Sequence, residues 1–200
     1  MLARGCHIHI VTFVCVETLV MFVILQERSK DKEAIETLLN VVFGATRHQK
    51  ASYAYRDENL PVQGLSFSAH CDGKLAGTIR FWPISLGLRE TSALLLGPLG
   101  VAPDMQNFGI GRSLISQGHM MAAEMGYKLV LLVGEAAYYG RFGYVSASSH
   151  GLFMEGENPN RLLVCELGKG ALQEASGNVQ AGDCPPVGVK ETGIAYQASC

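Results

Sequence analysis

Two glycines, Gly109 and Gly111, stand between an apolar run that ends at Val101 and a stretch with helical apolar spacing. Glycine lets a backbone turn without Cβ clashes and come close to a ligand. The first N–H groups of a helix have no partner within it, and the helix dipole makes that end attractive to anions. A loop over 103–108 that runs into a helix at Gly109 therefore suits a pyrophosphate. Neither of two common nucleotide patterns fits. A dinucleotide fingerprint needs a third glycine where the chain has Leu114, and a P-loop needs Gly-Lys-Ser/Thr where it has Gly111-Arg112-Ser113. On spacing alone, a helix start whose glycines serve only packing explains these residues equally well.

Two separated segments then carry a resemblance. Gln106-x-x-Gly109-x-Gly111 resembles the Q/R-x-x-G-x-G/A signature of the GNAT superfamily, the general-control-type N-acetyltransferases. Ala137-Tyr-Tyr-Gly-Arg-Phe-Gly-Tyr144 resembles that family's second mark, a tyrosine four residues before a Gly-Phe or Gly-Tyr pair; Tyr139 and Gly143-Tyr144 hold those places. The wording of both segments looks most like a bacterial branch of predicted N-acetyltransferases, and the resemblance covers about residues 21–168. One departure is Glu135-Ala136, where that branch tends to show Asp-Pro after the strand.

The resemblance implies an acyltransferase that moves the acetyl group of acetyl-CoA, its co-substrate, onto a primary amine of a small molecule or protein. The strand residues Leu99, Gly100 and Val101 would offer backbone groups to the pantetheine. Gln106, Asn107, Phe108, Gly109, Ile110, Gly111, Arg112 and Ser113 would cradle the pyrophosphate. An attacking amine must first be neutral, so a base is useful. A backbone N–H near Leu99–Val101 could stabilise the oxyanion. Tyr139, by its matched place, is the candidate acid for the departing thiolate; a core aromatic beside Phe142 and Tyr144 is its plainer reading. The base stays open between Glu90 and Glu135, each also readable as a solvated loop carboxylate. Arg112 is a phosphate contact or a surface arginine, and His119 reads as a helix-face residue. The chemistry needs no metal. An acyl-CoA-binding module that turns nothing over is the alternative.

Elements must position these groups. Apolar, β-branched Phe22–Glu27 predicts a first strand, and Ala34, Ile35, Leu38, Leu39 and Val42 predict a helix that Gly44 closes. A short helix fits Ala51–Asp57. Asp72-Gly73 predicts a hairpin between strands over 65–71 and 74–82, with Pro83 ending the second. Ser92–Val101 and Tyr127–Val133 read as buried strands, the first broken by Gly97-Pro98, which signals a bulge or a splay. The longest helix spans Gly109–Met125, a short one Ala136–Phe142, and Leu152–Met154 and Leu162–Leu167 close the fold. The expected class is mixed α/β: a central, mostly antiparallel sheet flanked by helices and splayed in the middle at the acyl-CoA site. The acceptor pocket is expected from 43–63, 83–91 and 145–160.

Composition sets the remaining bounds. Apolar residues make up 48 % of the 200, enough for one domain's core. A net charge of −2 gives no reason to expect nucleic acid as a partner. The six cysteines form no C-x-x-C pair and read as reduced thiols of a cytoplasmic protein. Ile8–Leu25 resembles a signal or membrane segment, but Glu17 interrupts it, and no stable membrane insertion is expected. The expected organisation is an extension over 1–20, the domain over 21–168 and a disordered tail over 169–200. A homodimer is compatible with all of this.

Overall fold

The computed structural model describes residues 9–15, 18–57 and 59–182. A hairpin of β1 (His9–Cys15) and β2 (Thr18–Gln26) opens the fold. Helices α1 (Lys32–Phe43) and α2 (Ala51–Asp57) follow, then β3 (Phe67–Cys71), β4 (Lys74–Leu86) and β5 (Thr91–Val101). After α3 (Ile110–Glu124) come β6 (Leu129–Val133), α4 (Ala136–Tyr139), β7 (Val145–Ser146), β8 (Leu152–Phe153) and β9 (Leu162–Glu166). The last elements described are α5 (Ala171–Glu174) and β10 (Gly177–Ala181). The sheet order is β1-β2-β3-β4-β5-β6-β9-β7, with β10 against β4 and β8. The β5–β6 and β8–β10 pairs are parallel and the others antiparallel. The mixed, mostly antiparallel sheet flanked by helices is the one the sequence leads one to expect.

The central strands read as unbroken apolar runs because both faces of the sheet are covered. In β5, Leu94 and Leu96 enter one core while Ala93 and Leu95 enter the other. Val130 and Leu132 of β6 divide from Leu129 and Leu131 in the same way. Helix α3 covers the first face with Ile110, Leu114, Ile115 and Ala122, spaced as one helical stripe. A Cβ on Gly118 would overlap the Phe81 ring, and one on Gly77 would sit 2.8 Å from Ile110, so these glycines let helix and sheet close together. Helix α1 covers the opposite face near the end of β5, where a Cβ on Gly100 would lie 3.0 Å from Leu39. The Asp72-Gly73 turn has φ of 48° and 75°, the left-handed pair a two-residue hairpin needs.

Three expectations need correction. The sheet starts before Phe22: β2 begins at Thr18, and β1 lies inside the supposed extension. A single apolar run does not show where one strand turns back on another, so periodicity missed the hairpin. Second, β4 continues through Pro83 to Leu86. Pairing with β3 stops at Ile79, which faces Phe67, the first residue of β3, and pairing with β10 starts only at Ile84, so Pro83 sits on a flank without a strand partner where a missing N–H costs no ladder bond. Third, the supposed tail forms α5 and β10, and Val179 is buried. Residues 183–200 of that tail, like 1–8, lie outside the described residues. The run Ile8–Leu25 is strand over 9–15 and 18–25, and no helix among the described residues is long and apolar enough to cross a membrane.

Candidate functional site

The site begins where the sheet comes apart. Strands β5 and β6 pair only at Leu94–Val130 and Leu95–Leu131, although β5 runs on to Val101. On its other side β5 keeps its ladder with β4, with a register shift between Ile79–Leu99 and Phe81–Leu96. Gly97 and Pro98 are therefore two residues opposite one, a bulge that bends the strand. Gly97 adopts a φ of 127°, which other residues rarely reach. The Trp82 indole N–H donates to the Gly97 carbonyl at 2.6 Å, satisfying a group that the broken ladder exposes.

Two cavities open at this splay. One, of about 580 Å³, lies toward the start of α3, and the other, of about 440 Å³, lies toward α2. Among the described residues they share only Phe43, Leu99 and Tyr139.

The larger cavity is framed by main chain. Asn107 and Gly109 take left-handed φ values of 69° and 80°, turning the loop into α3. The Ser113 N–H donates to the Gly109 carbonyl at 2.9 Å, so the N–H groups of Ile110 and Gly111 precede the first bond inside the helix. Of the residues singled out in the sequence, Leu99, Val101, Gln106, Asn107, Gly109, Ile110, Gly111 and Arg112 line this cavity. Gly100, Phe108 and Ser113 do not: Gly100 faces α1, and Ser113 is already within the helix. Gly111 has a reason of its own to lack a side chain, since a Cβ there would stand 2.9 Å from the Tyr138 hydroxyl. Arg141 stacks over the Tyr138 ring at 4.6 Å and completes that wall.

Tyr139 stands where the cavities meet. Helix α4 starts directly after Glu135, whose carbonyl accepts from the N–H groups of Tyr138 and Tyr139, so the Glu135-Ala136 departure leaves the helix start intact. The Tyr139 ring meets Tyr138 edge-on at 4.9 Å and Tyr144 at 5.7 Å. It lies over Gly134, where a Cβ would come 2.8 Å from ring atom Cδ2. Burial pushes the Tyr139 hydroxyl up to about 12, Tyr138 adds to this, and Arg161 opposes it. The group therefore keeps its proton throughout the physiological range.

The smaller cavity is built from side chains. Arg47 is 3 % exposed; its Nε donates to Asn40 at 3.0 Å, its Nη1 to the Tyr53 hydroxyl at 3.1 Å, and its Nη2 to Glu36. Glu36 also accepts from Arg80, which grips Glu27 through two bonds of 2.8 and 2.7 Å. Arg56 lies over the other approach to Tyr53, 4.8 Å from the ring centroid. Glu157 accepts from the Ser52 N–H at 2.9 Å and so ties its loop to α2. Among the described residues it is the one carboxylate lining this cavity.

Of the expected pocket segments, 43–63 and 145–160 contribute and 83–91 does not. Glu90 sits on the connection before β5, at the strand end away from the splay, and lines neither cavity. Glu135 is exposed and pairs with Arg161 at 3.2 Å. His119 lies 2.8 Å from the Tyr144 hydroxyl, and burial pulls its imidazole down to about 4, leaving it a neutral partner within the core. The sequence reading missed Arg47, Tyr53, Arg56, Glu157 and Arg161. Only Tyr53 and Arg56, three apart on α2, carried a pattern to find.

The sequence profile of the acetyltransferase (GNAT) domain family matches residues 26–147. The chain is 27 % identical over 122 residues to the uncharacterized N-acetyltransferase YhbS of Escherichia coli K12, covering 61 % of this chain and 72 % of that protein. To YjhQ of the same organism, also an uncharacterized N-acetyltransferase, it is 29 % identical over 116 residues, 57 % of this chain and 64 % of the relative. Its fold is similar to the crystal structure of E. coli YhbS in complex with CoA: the TM-score is 0.72 at 24 % identity, covering 83 % of this chain and 92 % of that one. A GNAT acetyltransferase from Brucella melitensis in complex with acetyl-CoA matches with a TM-score of 0.60 at 24 % identity, covering 90 % and 98 %.

Proposed function

The chain belongs to the GNAT acetyltransferase family, and from that premise we propose that it transfers the acetyl group of acetyl-CoA to a primary amine. The observation that carries this reading is the meeting of the two cavities at Leu99 and Tyr139. The larger cavity suits acetyl-CoA. Its helix start and left-handed loop direct main-chain N–H groups at a pyrophosphate, and Val42, Leu99, Met105 and Phe142 offer apolar wall to the pantetheine arm. The smaller cavity suits the amine. Relatives named as N-acetyltransferases, and folds solved with CoA or acetyl-CoA, support the same assignment.

In this reaction the neutral amine attacks the thioester carbonyl carbon, an N–C bond replaces the C–S bond, and the proton lost by nitrogen ends on sulfur. Main-chain groups of the splayed end of β5 face the carbonyl. Tyr139 donates a hydrogen bond to the departing sulfur. A thiol titrates near 8.5, so full transfer from a hydroxyl at about 12 is uphill by roughly 5 kcal/mol. Tyr139 therefore acts chiefly by holding its proton toward the sulfur, while the net proton comes from the amine.

Calorimetry of the full chain with acetyl-CoA, followed by thiol release across a panel of amines, tests this. Binding with saturable, amine-dependent thiol release is expected. No heat at millimolar acetyl-CoA would remove the assignment, and binding without release from any amine would leave an acyl-CoA-binding module.

A further inference from the structure

Resting on that reading, we propose that His119 is a positioning residue of the transfer: its bond to Tyr144 holds the ring against which Tyr139 is set, and so fixes where the Tyr139 hydroxyl points. His119 lies on α3, partly buried, with its Nε2 2.8 Å from the Tyr144 hydroxyl. Tyr144 is 4 % exposed, in the core that also holds Phe81, Leu163 and Cys165. An imidazole and a phenol are costly in such a core unless they bond to each other, and a bonded polar pair admits fewer arrangements than hydrocarbon packing does. Burial keeps both groups neutral in the physiological range, His119 pulled down to about 4 and Tyr144 pushed well above its usual value. The bond is therefore intact wherever the acceptor amine is reactive.

That bond reaches Tyr139 through one ring. Tyr144 meets Tyr139 edge-on at 5.7 Å with the planes 71° apart, and Tyr138 meets it at 4.9 Å and 85°. Gly134 lies beneath, where a Cβ would stand 2.4 Å from ring atom Cε2 of Tyr139. Edge-to-face contacts are directional, so a shift of either neighbouring ring tilts the one that meets both. Both neighbours bear on α3. Tyr138 sets its hydroxyl beside Gly111, and Tyr144 sets its own on His119. The helix is in turn seated on the sheet at Gly118, where a Cβ would overlap the Phe81 ring. The helix whose first turn receives the pyrophosphate thus also steadies the tyrosine that serves the sulfur of the same molecule. A hydrogen bond to that sulfur weakens steeply as its angle opens, so a small tilt of Tyr139 is felt in turnover and not in binding.

The test is a mutant cycle read by thiol release from the full chain, with the acetyl-CoA Kd from calorimetry. Tyr144→Phe removes the hydroxyl and keeps the ring; it should lower kcat about tenfold while the acceptor KM and the acetyl-CoA Kd stay within about twofold. His119→Leu should do the same, and His119→Gln, whose amide still reaches the hydroxyl, should recover most of the loss. On a Tyr139→Phe background, where the hydroxyl being aimed is gone, Tyr144→Phe should cost no more than about twofold. A folded Tyr144→Phe or His119→Leu as fast as the parent would overturn the proposal while leaving the transferase intact. So would a loss of equal size with and without the Tyr139 hydroxyl, or a loss carried by KM or Kd. Where one of the two variants fails to fold, the other decides. A Tyr139→Phe variant as fast as the parent would remove Tyr139 from the reaction, and this proposal with it. Failure of acetyl-CoA to bind, or of every amine to release thiol, would instead remove the transferase reading and all that rests on it.

Discussion

The two cavities that meet at Tyr139 are made of different material. Toward α3 the end at the helix start is shaped by main chain: a left-handed loop, two glycines and the first turn of a long helix. Toward α2 the wall is side chain: arginines, a tyrosine and a glutamate drawn from α2, the segment before it and the loop before β9. Main-chain donors sit wherever the backbone goes and need only the absence of a Cβ. Side-chain walls depend on every partner that holds them, as Arg47 depends on Asn40, Glu36 and Tyr53. The first kind of wall can serve one fixed chemical group across a whole family, and the second can change with the substrate.

If that division holds, damage to each wall should have its own signature. The largest effect belongs to the shared residue. Tyr139→Phe should lower kcat by about a hundred- to a thousandfold while the acetyl-CoA Kd from calorimetry moves little. A variant as fast as the parent would remove Tyr139 from the reaction. A pH profile sharpens this: a hydroxyl at about 12 stays protonated below that pH and is lost as donor only above it. Turnover should therefore rise as the acceptor amine deprotonates and show no Tyr139-dependent fall between about pH 8 and pH 10. A smaller effect is expected from the main-chain wall. Gly111→Val forces a branched side chain against the Tyr138 hydroxyl and should weaken acetyl-CoA binding roughly tenfold, with the KM for the amine nearly unchanged. Equal losses in both constants would mean that the cavities are not separable.

The same division explains what could be read from the chain. Glycine is legible because few residues replace it at left-handed φ or at close approach, so Gly109 and Gly111 marked the loop and Gly97-Pro98 marked the splay. Buried strands β5 and β6 were legible as apolar runs, the first with its break at Gly97-Pro98, and the Asp72-Gly73 turn by its dihedral demand. Arg47 and Glu157 were not, because what unites them is folded proximity between segments more than a hundred residues apart in sequence, as the Ser52–Glu157 bond shows. The strand β10 escaped for a related reason: glycine- and alanine-rich residues look unstructured until β4 and β8 supply both sides of a ladder.

One consequence follows from how little the cavities share. Among the described residues the cavities have only Phe43, Leu99 and Tyr139 in common, so on the proposed assignment donor and acceptor occupy largely separate walls. On that assignment acetyl donor and acceptor reside together and exchange the group directly, with no need to carry it on a nucleophile of the protein between visits. Double-reciprocal rate plots should accordingly intersect rather than run parallel.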